Sequence, residues 1–155
     1  MKLKIFDYPQ LLLLGLALGF LFFGWNAAEQ HLTSFYQKTE GQTATALNSL
    51  AILYASAIIG SFAGPIFVRK FGLKTAIIFG FLTYIVLTFG ITSKITPLIF
   101  TLSALLGIGS GILSVSQIDL LRLFSPQNLR GELAGSINAL RTIGGGLGVF
   151  SVFLF

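Results

Sequence analysis

The residues best suited to chemistry are a few polar side chains set within a long apolar run. Asn26, Glu29 and Gln30 continue the helical face of Gly15 and Gly19 at steps of three, four and seven residues. Polar groups among apolar neighbours are costly unless they bond a partner or line a wet cavity. This face therefore predicts a place for a small solute or an ion, with Glu29 as a proton or cation carrier. The alternative is that Glu29, late in the run, lies at an outer interface.

Two further candidates lie later in the chain. Arg141 interrupts the last apolar run and shares a helical face with Gly145. It is predicted either to bind an anion or to pair structurally, with an acid such as Glu29 or Asp119 or with helix-end carbonyls. Gln117 lies in the apolar run before that one and shares a helical face with the small residues Ser110 and Ser114. It is the fifth candidate for binding a substrate or an ion.

The residue types give no support for catalysis. The chain has no cysteine and one histidine, and its few acids do not cluster at helical spacing. These features exclude a thiol nucleophile and give no paired carboxylates or metal-ligand set. We therefore expect no enzymatic activity, no metal and no cofactor.

The elements that position the candidates are long apolar helices. The chain is 54% hydrophobic and only 10% charged, whereas soluble domains carry about a quarter charged residues. Four stretches without any charge are each as long as the roughly 20 residues that cross a bilayer as a helix, and a fifth contains only Arg141. The chain is predicted to be an integral, all-α membrane protein. Its transmembrane helices are predicted at about 9–31, 44–68, 75–92, 97–121 and 132–155.

The Lys and Arg residues are concentrated in particular loops, and this distribution predicts how the chain is oriented in the membrane. A short hairpin holds Arg69, Lys70, Gly72 and Lys74, and a second loop on the same side holds Arg130 and Gly131. Positive residues favour the cytoplasmic side, so these loops and the N-terminus are predicted to be inside. The net charge of +5 is explained by this bias. We expect the lipid bilayer as a partner and no nucleic acid.

Two stretches carry a resemblance to a known family. The hairpin VRKFGLK after a glycine-rich helix resembles the loop between helices two and three of the major facilitator superfamily, and LRGELAG resembles its loop before helix five. Residues 50–76 and 105–117 resemble the uncoordinated-ninety-three (UNC)-like branch, with Tyr54, Pro65, Gly72 and Lys74 in place. The resemblance covers roughly residues 14–150.

The resemblance implies twelve helices in two halves, with a solute handled between them. The chain then looks like a fragment: residues 1–155 form a partial N-terminal bundle, the first five transmembrane helices, and the C-terminal half is a missing partner. The implied function is secondary transport of a small molecule or ion by alternating access. The alternative, which the UNC-like branch raises, is a non-transporting regulator or escort of other membrane proteins. One departure is that Pro65 and Arg69 stand where many members carry an acid, so no charge-relay gate is expected there.

Overall fold

The computed structural model describes residues 7–37, 43–91 and 95–154, which are almost entirely helical and contain no strand. The predicted all-α fold is therefore confirmed. In these ranges a short 3₁₀ turn, Gln127–Leu129, precedes the last helix. The helices are α1 (Pro9–Gln37), α2 (Thr43–Phe71), α3 (Leu73–Ile91), α4 (Thr96–Phe124) and α5 (Arg130–Leu154).

Four segments are long and apolar enough to cross a membrane: Pro9–Gln30, Ala44–Phe71, Leu73–Gly90 and Thr96–Phe124. Helix α5 is not among them. Its 25 residues suffice in length, but Arg130, Glu132, Asn138 and Arg141 make its first half polar. The prediction that α5 also spans the membrane stays a prediction.

The hairpin between α2 and α3 is closed by a single residue. Gly72 has a φ of 84°, the left-handed conformation that ends many helices, and its N–H donates to the Val68 carbonyl at 2.9 Å. Phe67 stacks on Phe79 across the turn, with ring centroids 5.2 Å apart. The basic residues before Gly72 thus complete α2, where positive charge interacts favourably with the helix C-terminus.

The described residues form two units, and each is taken by itself. The α2–α4 unit covers residues 31–117. In it, a Cβ on Gly60 or Gly111 would overlap backbone of the facing helix, and a Cβ on Gly107 would overlap Ser56 and Leu53. These glycines let α2 and α4 approach backbone to backbone, as small residues do where lipid provides no hydrophobic drive for association.

Helix α3 packs against α4 along one face only. Its Gly80 lies against Leu113, and Thr83 lies against Gly109. Its outward face is apolar and exposed, with Leu82 at 51% and Phe89 at 74%. Such a surface suits lipid and would be unfavourable in water.

The α1–α5 unit covers the described residues up to 30 and from 118 onward. Two glycines on each helix bring α1 and α5 together. A Cβ on Gly144 would overlap the backbone of Gly19, and one on Gly148 would overlap Phe23. A Cβ on Gly15 would overlap the end of the Leu140 side chain. This close approach positions the polar side chains of both helices.

Candidate functional site

Arg141 lies against the face of an aromatic ring. Its guanidinium carbon is 3.9 Å from the centroid of the Phe22 ring on α1. A cation over an aromatic face is attracted by the ring quadrupole, by about 2 kcal/mol when desolvated. Arg141 is half-buried, and the structure gives it no ion pair or hydrogen bond within the described ranges. The ring is thus the neighbour that holds this cation in place.

Asn26 lies one helical turn after Phe22 and is bonded to it. The Asn26 amide Nδ2–H donates to the Phe22 carbonyl at 2.8 Å. A Cβ on Gly145 would lie 3.1 Å from the same Nδ2 atom, so the amide rests on a glycine of α5. Phe22 therefore contacts both predicted candidates: its carbonyl accepts the bond from Asn26, and its ring lies against Arg141.

Glu29 and Gln30 complete the polar end of this segment of α1. Both are half-buried. The Glu29 carboxylate accepts a hydrogen bond from the Trp25 side chain, one turn earlier. Trp25 thus holds Glu29 in addition to contributing an amphipathic ring of the kind that anchors helices at membrane interfaces.

Gln117 lies in the other unit, on α4, where it is half-buried. Its place in a site shared with Arg141 stays a prediction. The neighbouring hydroxyls of Ser110 and Ser114 donate to the carbonyls of Gly107 and Ser110, at 2.8 and 2.9 Å. They bond their own helix, so their side-chain donors are not directed at a solute.

The basic residues singled out from the sequence lie at helix ends. Arg69, Lys70 and Lys74 are exposed around the α2–α3 turn, and the Lys70 Nζ lies 5.4 Å from the Phe71 ring centroid. They shape the predicted cytoplasmic face rather than a solute site.

The loop before α5 is held by Arg130. Its Nη2–H donates to the Arg122 carbonyl at 3.2 Å, near the C-terminus of α4. Gly131 is exposed and a Cβ there would meet no neighbour. An ion pair also forms at this end of α4, with 3.5 Å between Arg122 Nη1 and Asp119 Oδ1. Asp119 therefore pairs with Arg122 and not with Arg141.

An apolar groove of about 330 Å³ lies on the other side of the α1–α5 contact. It is open and has almost no polar lining. Its residues are Leu16, Gly19, Phe20, Phe23, Leu140, Ile143, Gly144 and Leu147. With no donor or acceptor to orient a polar ligand, this surface suits lipid tails or another apolar helix.

Sequence reasoning missed Phe22, which the structure places at the centre of the cluster. The signal was available in the spacing, since Phe22 lies three residues after Gly19 and four before Asn26 on the predicted polar face. An aromatic residue in an apolar run gives no sign of its own that a cation packs on it. That contact depends on α5.

Comparison with known protein families identifies a match. A family model described as Major Facilitator Superfamily matches residues 2–149, nearly the whole chain. No curated protein and no solved structure matches.

Proposed function

The chain belongs to the major facilitator superfamily, a family of membrane transporters, and we propose that it takes part in moving a small solute by alternating access. Members of this superfamily are generally transporters rather than enzymes. Alternating access needs a second half, so the proposal includes a C-terminal half as partner, with the solute held between the two. It also includes a cytoplasmic N-terminus and the UNC-like branch within the superfamily.

The observation that carries the proposal is the cluster of Arg141, Phe22 and Asn26. A charge in the middle of a predicted membrane helix is costly to maintain, and such residues typically mark solute or ion pathways. Here the arginine is supported by an aromatic ring and the asparagine by a backbone carbonyl. Both side chains are positioned while retaining polar atoms for another partner.

The five candidates have different roles in this proposal. Arg141 and Asn26 bind the solute directly. Glu29 carries the coupling proton or cation, since it is the acid nearest the cluster along α1. Gln30 and Gln117 supply further hydrogen bonds. The small-residue faces of α1, α4 and α5 let the helices that carry these residues pack closely.

The test is solute uptake by membrane vesicles that contain the chain together with the C-terminal half that the proposal includes, with a panel of small radiolabelled solutes. Wild type is compared with Glu29→Gln and Arg141→Ala. The matched control is Arg122→Gln, which removes an exposed arginine paired with Asp119. Removing a hydrogen-bonded charge from a site typically lowers affinity by about tenfold or more. We expect uptake to fall by about that factor in both site variants and to stay unchanged in the control.

Unchanged uptake in both site variants would remove these residues from the transport site. If no solute in the panel is taken up or stabilises the protein against heat, while a separate membrane protein co-purifies with it, an escort role would replace transport. The uptake and co-purification readouts therefore decide between the two classes of function.

A further inference from the structure

The guanidinium of Arg141 has unused hydrogen-bonding capacity. An arginine side chain carries five N–H donors in a planar fork. The contact with the face of the Phe22 ring uses none of them. Asn26 adds one amide N–H and its Oδ1 atom, because only one of its amide hydrogens is needed for the bond to the Phe22 carbonyl. Donors thus outnumber acceptors at this place.

The charge of Arg141 is also unbalanced within the described residues. Asp119 is paired with Arg122 at 3.5 Å. Glu29 lies seven residues beyond Phe22 on α1, about 10 Å along the helix axis, and accepts a bond from Trp25. An arginine–carboxylate pair needs a separation of about 3 Å. Within the described residues no ion pair joins Arg141 to any acid, so one positive charge is left to be matched.

A ligand with a single negative charge fits this arrangement best. One monoanion neutralises one guanidinium, whereas a dianion would leave an uncompensated charge in a medium where that is costly. A carboxylate matches the fork of a guanidinium with two parallel hydrogen bonds.

From these observations we infer that the solute is a small organic monocarboxylate, bound through its carboxylate by Arg141 and Asn26. The inference rests on the proposed function and names its substrate class. It predicts binding of short-chain or aromatic carboxylates and discrimination against their neutral amides.

Trp25 provides a reporter of binding, since it is the only tryptophan of the chain and precedes Asn26 directly. The protein is reconstituted in lipid nanodiscs, and Trp25 emission is followed during titration with butyrate, butyramide or succinate. We expect a saturable change with butyrate. Butyramide and succinate are expected to bind at least about tenfold more weakly, because one lacks the charge and the other exceeds it.

Two substitutions at Arg141 make the test specific. Arg141→Gln is expected to weaken butyrate binding by more than about tenfold. Arg141→Lys keeps the charge but loses the fork, and a weakening of about three- to tenfold is expected. Arg122→Gln is the control and should bind as wild type does. Circular dichroism of each variant shows that its helices have formed.

Equal binding of butyrate and butyramide, or wild-type binding by Arg141→Gln, would overturn the inference. Tighter binding of succinate would overturn the monoanion assignment. Uptake by membrane vesicles that contain the same variants separates this failure from failure of transport. Uptake of a neutral solute without butyrate binding leaves the proposed function and removes the inference. Butyrate binding that depends on Arg141, without any uptake, would support the inferred ligand and contradict the proposed transport function.

Discussion

At the scale of single residues, Phe22 is central because it contacts both polar candidates. Its ring supports the Arg141 guanidinium and its carbonyl accepts the Asn26 amide. The backbone bond survives any substitution of the side chain, whereas the cation–ring contact does not. The two contributions of Phe22 can therefore be separated by changing only the ring.

Phe22→Leu is expected to weaken solute binding by about fivefold or more, because a desolvated cation–ring contact contributes about 1–2 kcal/mol. Phe20→Leu is the matched control, since Phe20 lies two residues earlier on α1 and its side chain is 77% exposed. Butyrate titration of both variants measures the effect. Equal affinities would show that the ring does not position Arg141.

Gly144 tests the close approach of α1 and α5. In Gly144→Ala the new methyl group would overlap the backbone of Gly19, and we expect a loss of about 1–3 kcal/mol in the free energy of unfolding. Gly146→Ala, two residues away, meets no neighbour and should be neutral or slightly stabilising. Thermal unfolding in detergent compares the two. A higher melting temperature for Gly144→Ala than for Gly146→Ala would contradict the packing.

The sequence predicts the polar candidates better than their neighbours. Asn26 and Arg141 stand out because polar groups in apolar runs are costly. Phe22 does not, since its contact with Arg141 exists only once α1 and α5 have packed. From the sequence, an ion pair between Arg141 and an acid was one of the predictions. The contacts of the described residues contain no such pair.

At the scale of elements, the α2–α3 hairpin depends on one backbone conformation. Gly72→Ala places a Cβ at a φ of 84°, where a side chain costs about 1–2 kcal/mol although space is open around it. Gly24→Ala, in the middle of α1 with no neighbour near its Cβ, is the control. Thermal unfolding is expected to show destabilisation in the first variant only. Destabilisation of both by the same amount would point to a general effect of removing glycine.

Helix positions followed from the sequence because apolar length is a strong signal. The helix ends were harder to place. Helix α2 continues past 68 to Phe71 because Arg69 and Lys70 suit its C-terminus, and α4 continues past 121 to Phe124 with Arg122 in its last turn. The length of an uncharged stretch therefore predicts which part of a helix lies in the bilayer. The helix itself extends beyond that part.

At the scale of the whole molecule, the orientation in the membrane can be tested because the chain has no cysteine. Lys74→Cys, in the predicted cytoplasmic hairpin, should react with a membrane-impermeant maleimide only in inside-out vesicles. Lys94→Cys lies between the predicted transmembrane helices 75–92 and 97–121, one crossing away from the hairpin, and should react only in right-side-out vesicles. The reasoning is the positive-inside rule. The reverse pattern would invert the topology, and identical labelling of both positions would contradict an odd number of crossings between them.

Alternating access to the α1–α5 cluster is the central claim and has one direct test. Asn138 is exposed one turn before Arg141, and Ile143 is exposed in the apolar groove. The protein with Asn138→Cys or Ile143→Cys is treated with a charged maleimide from each side of the membrane. Reaction of Asn138→Cys from both sides, slowed by butyrate, with Ile143→Cys unreactive, is the result expected of a transport site. Reaction of Asn138→Cys from one side only, with or without butyrate, would contradict alternating access.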